Sequence, residues 1–138
     1  MTYLDNIRKG GKYANPFFCL AGIEVVQIEE GHAILKTIVR PDMHNGVGWL
    51  QGGMLVALAD EAMALALYPM LAENEGIATI SESTSFIKGI RDGMIIAEGS
   101  VIRKGRRVAF CEGEVRMDNA EKIILSRTTA SFAVTSLI

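Results

Sequence analysis

The stretch that decides the fold runs from His44 to Leu71 and reads HNGVGWLQGGMLVALADEAMALALYPML. It predicts a glycine-rich turn followed by a long apolar helix, because between Met54 and Ala72 the only charged residues are Asp60 and Glu61. A helix that is apolar nearly all round belongs in the middle of a core. A buried, unpaired carboxylate is costly there and is usually kept where chemistry requires it. We therefore expect a core helix that carries part of a functional site.

A stretch of this length could also span a membrane. Asp60 and Glu61 oppose that interpretation, because an acidic residue near the centre of a span costs about 2.5–3.5 kcal/mol on insertion scales. Pro69 falls near the end of the stretch, and the rest of the chain has the composition of a globular protein. We therefore expect no contact with a membrane.

The chain has 138 residues, and we expect one domain spanning 1–138 in which residues 1–14 are loosely ordered. A net charge of −2 argues against nucleic-acid binding. The first residues, MTYLDNIRKGGKY, contain no apolar signal core, so we expect a cytoplasmic protein.

Cysteine and histidine usage bounds the chemistry further. Cys19 and Cys111 are the only cysteines and form no C-x-x-C motif, so we expect reduced thiols. His32 and His44 are the only histidines, and no group of ligands has the spacing of a metal site. We therefore expect no metal and no resident cofactor.

Strand patterns lie on both sides of the long helix. Asn15, followed by Pro16, marks the start of a short helix before the first strand. Alternating or β-branched residues predict strands at 23–27, 33–40, 77–87, 94–103, 108–117 and 123–134. Short turns make antiparallel neighbours, so the pattern predicts an α+β fold in which a curled antiparallel sheet wraps one long central helix.

This order of elements resembles the hotdog fold, and the chain is similar to acyl-CoA thioesterases of the phenylacetate-degradation and 4-hydroxybenzoyl-CoA type. The family pattern is Asn or Gln, then H-G-G six residues later, then Asp or Glu nine residues after that His. Asn45, Gln51-Gly52-Gly53 and Asp60 match this spacing. Asn-Pro-Phe-Phe at 15–18 and Gly-Ile at 22–23 also resemble the family, and the likeness extends from about residue 15 to residue 134.

One position departs from the family pattern. The usual His is Gln51, which stays a candidate catalytic-site residue because it can donate and accept hydrogen bonds, but it cannot titrate, so proton transfer is not assigned to it. Some relatives carry a hydroxyl residue one helical turn after the acid, where this chain has Ala64.

Thioester hydrolysis needs a water or a nucleophile at the carbonyl carbon and hydrogen-bond donors for the oxyanion. The backbone N–H of Gly52, at the helix start, is the best donor in the sequence, and the helix dipole acts in the same direction. Gly53 is expected to contribute to substrate binding at the same place. Asp60 is the general base or the direct nucleophile, two roles that stay open. Asn45 is expected to hold the water or the carbonyl oxygen.

Gly52 and Asp60 are eight residues apart, so they are separated by about 12 Å along one helix axis. One reacting carbonyl cannot touch both, so we expect the two groups of a site to come from different chains across a two-fold axis. The resemblance implies the same arrangement, a homodimer that pairs further into a dimer of dimers.

Other candidates have structural alternatives beside the functional interpretation. Asp60 could be a buried acid capped by a hydroxyl, and Glu61 is expected to contact solvent or an interface. The resemblance implies that Thr79 and Ser81 line a channel for pantetheine, against plain edge-strand polarity. Arg106 and Arg107 lie in a basic turn that either contacts the nucleotide phosphates of CoA or is a solvated hairpin tip.

The leading hypothesis is hydrolysis of an aryl or medium-chain acyl-CoA thioester, with coenzyme A as part of the substrate. A hotdog hydratase or dehydratase is a second hypothesis, but such enzymes pair a His with an acid, and the only His near the motif is His44. A non-catalytic module that binds acyl-CoA or an acyl carrier is a third, and Gln51 is the feature that favours it.

Overall fold

One antiparallel sheet curls around one long helix in the computed structural model, which describes residues 2–137. The helices are α1 (Tyr3–Gly10), α2 (Pro16–Ala21) and α3 (Gly52–Leu67). The strands are β1 (Glu24–Glu29), β2 (His32–Val39), β3 (Glu75–Phe86), β4 (Gly93–Lys104), β5 (Val108–Met117) and β6 (Ile124–Ser136). The sheet has six strands in the order β1-β2-β4-β5-β6-β3. The predicted hotdog architecture and all six predicted strands are confirmed, with ends that differ by a few residues.

The long helix α3 begins at the glycine pair and ends before Pro69, which falls in a short 3-10 turn. Its buried side chains are Leu55, Leu58, Ala59, Ala62, Met63, Leu65, Ala66 and Leu67. The segment Gly52–Met70 is long and apolar enough to cross a membrane by length and composition. In this fold it packs instead against β2, β4, β5 and β6, as a core helix does.

Two glycines of the sheet allow α3 to lie directly on it. A methyl group on Gly99 of β4 would stand 2.5 Å from the backbone oxygen of Ala62. A methyl group on Gly113 of β5 would stand 3.4 Å from the Cβ of Ala59. Small residues on both surfaces thus bring the helix axis close to the middle strands, which fixes the height of α3 above the sheet.

The N-terminal segment is not loosely held, contrary to expectation. Thr2 and Asp5 form a capping box at the start of α1, and Ile7 is only 1% exposed. The few apolar residues of this polar stretch gave a weak pattern, but Ile7 is buried in the core and Tyr3 and Leu4 pack against it. The predicted cap of α2 is confirmed, because Asn15 Oδ1 accepts hydrogen bonds from the backbone N–H groups of Phe17 and Phe18.

Strand β3 lies at one edge of the sheet. Among residues 2–137 it pairs only with β6, so its other edge is open. A bulge at Ile80 interrupts the pairing, since Thr79 lies opposite Phe132 and Ser81 lies opposite Ser131. Ile80, Phe86 and Ile87 on and just after this strand are more than half exposed. This open edge runs beside the side of α3 that carries Gly52 and Asp60.

Candidate active site

Asp60 lies in the middle of α3 and faces β3. Its Oδ1 accepts a hydrogen bond of 3.0 Å from the Thr79 hydroxyl. Both residues line a cavity of about 290 Å³, whose apolar wall is formed by Ala64, Ile77 and Phe132. The hydroxyl cap that the sequence left open as an alternative is present, and the capped carboxylate still faces a cavity.

A second carboxyl of α3 lines the same cavity. Glu61, expected at solvent or at an interface, is half-buried beside Tyr3, Asn15 and Tyr68. Burial raises the pKa of Glu61 to about 7, and the neighbouring charge of Asp60 adds to the effect. Asn15 donates a 2.8 Å hydrogen bond to the Tyr3 hydroxyl, so helix α1 closes this side of the cavity.

A third carboxyl, Glu82 of β3, was missed by the sequence reasoning. Burial, a hydrogen bond with Asp60 and the charge of Asp60 together raise the pKa of Glu82 to about 7. Strict alternation along the strand would place Glu82 on the opposite face from Thr79. The bulge at Ile80 brings both to the face beside α3, and nothing in the residue pattern marks that bulge.

The start of α3 presents one free backbone donor. The Gly53 N–H donates to the side-chain oxygen of Gln51, and the Met54 N–H donates to the Gln51 carbonyl at 2.9 Å. Within residues 2–137 no acceptor is found for the Gly52 N–H. The expected donor Gly52 is therefore available, whereas the N–H of Gly53 is already used by its own cap. Gly53 can contribute to substrate binding only through its lack of a side chain.

Phe86 lies against Gly52 from the end of β3. A methyl group at position 52 would stand 3.1 Å from the Phe86 ring, which is itself 59% exposed. The glycine therefore leaves room for an aromatic wall beside the free N–H. Gly52 and Asp60 lie eight residues apart on one continuous helix, so the separation of about 12 Å expected from the sequence applies to this chain.

Asn45 organises the loop before α3. Its Oδ1 accepts hydrogen bonds from the backbone N–H groups of Val47 at 3.0 Å and Trp49 at 3.1 Å. Asn45 does not line the cavity that contains Asp60. The amide oxygen is thus used by the loop, and a water or carbonyl ligand would have only the NH₂ group to contact.

The two hydroxyl candidates of β3, Thr79 and Ser81, lie on different faces of the strand. Thr79 contacts Asp60, as described above, but Ser81 follows the bulge and is exposed away from the cavity. Thr79 and Ser81 therefore do not share one face of β3, because the extra residue Ile80 breaks the alternation, and a role for Ser81 in a pantetheine channel stays a prediction.

The basic turn between β4 and β5 lies beyond the C-terminal end of α3. The Gly31 N–H donates to the Ala66 carbonyl near that end, and the Val101 N–H of β4 donates to the Gly31 carbonyl. Arg106 and Arg107 are exposed and form no ion pair within residues 2–137. Their charges are therefore free for an anionic ligand. No group of three or more metal-ligand side chains occurs in the same range.

Sequence comparisons place this geometry in context. A family model described as the thioesterase superfamily matches residues 48–124. The 1,4-dihydroxy-2-naphthoyl-CoA hydrolase of Listeria monocytogenes is 24% identical over 108 residues, which cover 78% of this chain and 88% of that protein. The acyl-coenzyme A thioesterase PaaI of Escherichia coli is 26% identical over 109 residues, which cover 77% of this chain and 74% of that protein.

Solved structures share the fold. A thioesterase from Haemophilus influenzae superposes with a TM-score of 0.85 at 22% identity, covering 100% of this chain and 94% of that chain. A phenylacetic acid degradation-related protein from Ralstonia eutropha superposes with a TM-score of 0.85 at 22% identity, covering 96% and 99%. At this identity the superpositions show a common architecture, a long helix wrapped by a curled sheet.

Proposed function

Because this chain belongs to the thioesterase superfamily and is a thioesterase, we propose that its substrate is an acyl-CoA thioester. In this proposal Asp60 is the base or nucleophile, and the Gly52 N–H is the oxyanion donor. The observation that carries the proposal is the pairing of a half-buried Asp60 carboxylate at a cavity with a free N–H at the start of the same helix. One group can act on a nucleophile, and the other can stabilise an oxyanion.

The proposed reaction adds water across the C–S bond. Asp60 either removes a proton from the attacking water or attacks the carbonyl carbon itself. In the second case the thiolate leaves first, and water then hydrolyses the resulting mixed anhydride to give the acid and free Asp60. Negative charge develops on the carbonyl oxygen, where the Gly52 N–H and the dipole of α3 stabilise it. The sulfur leaves as a thiolate and takes up a proton, so the products are a carboxylic acid and free CoA.

We further propose that the enzyme acts as a homodimer, itself paired into a dimer of dimers. The separation of Gly52 and Asp60 supports this, since one carbonyl cannot reach both groups of one chain. The open edge of β3, with the exposed side chains of Ile80, Phe86 and Ile87 nearby, is the surface that would pair across the two-fold axis. Each site would then combine Asp60 of one chain with Gly52 of the other.

The acyl group is proposed to be aryl or medium-chain. A cleft of about 420 Å³ lies beside Gln51 and Gly53, and Phe17, Leu20, Met43 and Met54 contribute its apolar lining. That volume falls in the range of small-molecule sites. Arg40, Asp42 and His44 also line the cleft. An apolar acyl group would lie against the apolar part of this lining, where a charged group would lose hydration.

The test is release of free CoA thiol from a panel of aryl and aliphatic acyl-CoA esters, without added metal or nicotinamide. Wild-type protein should turn over at least one ester, and Asp60→Asn should lower kcat by about 10²- to 10⁴-fold, because Asn keeps the shape but loses the base. Asp118→Asn, which changes an exposed turn carboxylate, is the matched control and should keep full activity. If no ester in the panel reacts faster with wild type than with Asp60→Asn, the proposed substrate and the role of Asp60 are wrong.

A further inference from the structure

The bulge in β3 gives Asp60 two neighbours from one strand. Thr79 precedes the bulge at Ile80 and donates its hydroxyl to Asp60 Oδ1 at 3.0 Å. Glu82 follows the bulge, so it lies on the same face of β3 as Thr79, and one of its carboxyl oxygens is buried there. Ser81 lies between them on the exposed face. Insertion of one residue has therefore placed a second carboxyl beside the proposed base.

Glu82 has one oxygen that is sealed from solvent. Its Oε2 is buried and has no hydrogen-bond partner among the described residues while both carboxyls are ionised. A buried carboxylate oxygen without a partner is costly. A proton on Glu82 removes that cost, because the acid can then donate to the Asp60 carboxylate.

Within the described part of the chain, the cavity that Asp60 lines offers no cation that could stabilise a second charge beside it. From α3, Asp60 and Glu61 face the cavity, and the phenols of Tyr3 and Tyr68 line its far side. From β6, the residue paired with Glu82 is Ala130. No Lys, Arg or His of residues 2–137 lines this cavity. A proton shared between the carboxyls is therefore the remaining way to reduce their repulsion.

We infer that Glu82 is a positioning residue whose protonated carboxyl donates to the Asp60 side chain and, with the Thr79 hydroxyl, holds Asp60 in the orientation that the reaction requires. The inference rests on the role proposed above for Asp60. It adds to that role a requirement for a proton on a neighbour that does not itself touch the substrate.

The inference predicts that activity falls as the pH rises through 7. Because the pKa of Glu82 is raised to about 7, Glu82 keeps its proton at pH 6 and loses it as the pH rises through 7. Asp60 then loses a donor and gains a like charge. The kcat/KM of the wild type should fall over that interval, after subtraction of hydroxide-catalysed hydrolysis.

Two substitutions at Glu82 test the proton. Glu82→Gln keeps a donor of the same shape but cannot titrate, so at pH 6 it should stay within about threefold of wild type and should lack the fall above pH 7. Glu82→Leu removes the donor and should lower kcat/KM by about 10- to 100-fold at pH 6, as expected for loss of a hydrogen bond to a charged group. Circular dichroism and thermal unfolding establish that each variant is folded.

Two matched controls separate Glu82 from its neighbours. Ser83→Ala changes the exposed face of the same strand and should leave both the rate and the pH profile unchanged. Glu61→Gln removes the other carboxyl of raised pKa and should keep the fall above pH 7. If Glu61→Gln abolishes the fall while Glu82→Gln retains it, or if Glu82→Leu is as active as wild type, the inference is overturned.

A readout independent of catalysis is the carbon-13 NMR titration of the Glu82 carboxyl. In wild type its midpoint should lie near 7, and in Asp60→Asn it should be lower, because the like charge is gone. A midpoint near the usual 4.5 in wild type overturns the inference even if the enzyme hydrolyses thioesters. Conversely, absence of hydrolysis with a midpoint near 7 would refute the proposed function and leave the carboxyl pair in place.

Discussion

The start and the middle of α3 contribute to the proposed site in different ways. At the start, the Gly52 N–H is a backbone group in a loop fixed by hydrogen bonds, such as Leu50 N–H to the Ile90 carbonyl and Gln51 N–H to the Met43 carbonyl. In the middle, Asp60 is a side chain whose orientation depends on the Thr79 hydroxyl and whose electrostatic surroundings include two further carboxyls, Glu61 and Glu82. The Gly52 donor is a backbone group that does not itself titrate, whereas the Asp60 carboxylate has these two carboxyls nearby.

The two halves of the proposed site, the Gly52 donor at the start of α3 and the Asp60 carboxylate in its middle, should respond differently to pH and to substitution. A backbone donor is insensitive to pH and is removed only by altering the main chain. A carboxylate surrounded by other acids is sensitive to pH, to its hydrogen-bond donors and to conservative substitutions. The two halves should therefore fail under different treatments, and variants can separate them.

Apart from the loss expected for Asp60→Asn, the largest effect is expected from Gly52→Pro. Proline lacks the N–H but is well tolerated at the first position of a helix, so α3 should remain intact. Loss of one oxyanion donor should lower kcat by about 10²- to 10³-fold with an unchanged pH profile. Steady-state kinetics between pH 5.5 and 8.5 measure both quantities.

Gly52→Ala is the matched control for that variant. It meets the Phe86 ring in the same way but keeps the N–H, and Phe86 is exposed enough to move aside. It should therefore be much more active than Gly52→Pro, and equal losses in the two variants would assign the effect to Phe86.

Refolding Gly52→Pro together with Asp60→Asn should restore about a quarter of wild-type activity if each site takes one group from each chain, since half of the random dimers hold one intact site.

The sequence predicted the donor half and the position of Asp60 because both follow from short-range patterns. A glycine pair before an apolar helix and a fixed spacing to an acid can be counted along the chain. The carboxyl neighbours could not be found that way. The position of Glu82 depends on the bulge at Ile80. The burial of Glu61 depends on the packing of α1, which the few apolar residues of that polar segment did not reveal.

The same limit applies to side chains that satisfy the backbone locally. Asn45 and Gln51 were expected to act on the substrate, but their side-chain oxygens accept hydrogen bonds from N–H groups of the loop and of the helix start. Spacing identifies such residues as important without distinguishing a catalytic contact from a structural one. Only the rotamer, which tertiary context sets, shows which atoms remain free.

A smaller effect is expected at the basic turn beyond the C-terminal end of α3. If the nucleotide phosphates of CoA bind there, the pantetheine arm approaches the site from the end opposite Gly52. Arg106→Ala and Arg107→Ala should each raise KM for acyl-CoA by about three- to tenfold, with little change for the matching pantetheine esters, which lack those phosphates. Equal changes in KM for both substrates would identify the turn as a solvated hairpin tip.

The smallest effect is expected from Gln51→His, which replaces an uncharged side chain at the start of α3 with a titratable one. The Gln51 side chain is exposed and accepts a hydrogen bond from the Gly53 N–H, a bond that a neutral imidazole nitrogen can also accept. The rate should therefore stay within about threefold of wild type, and the pH profile of kcat should gain no step, because the ring serves the helix start rather than the reacting atoms. A new step near neutral pH in the variant alone would show that position 51 reaches the substrate. In that event the donor half is open to proton transfer, and the contrast between the two halves of α3 reflects the residue present at position 51 rather than the fold.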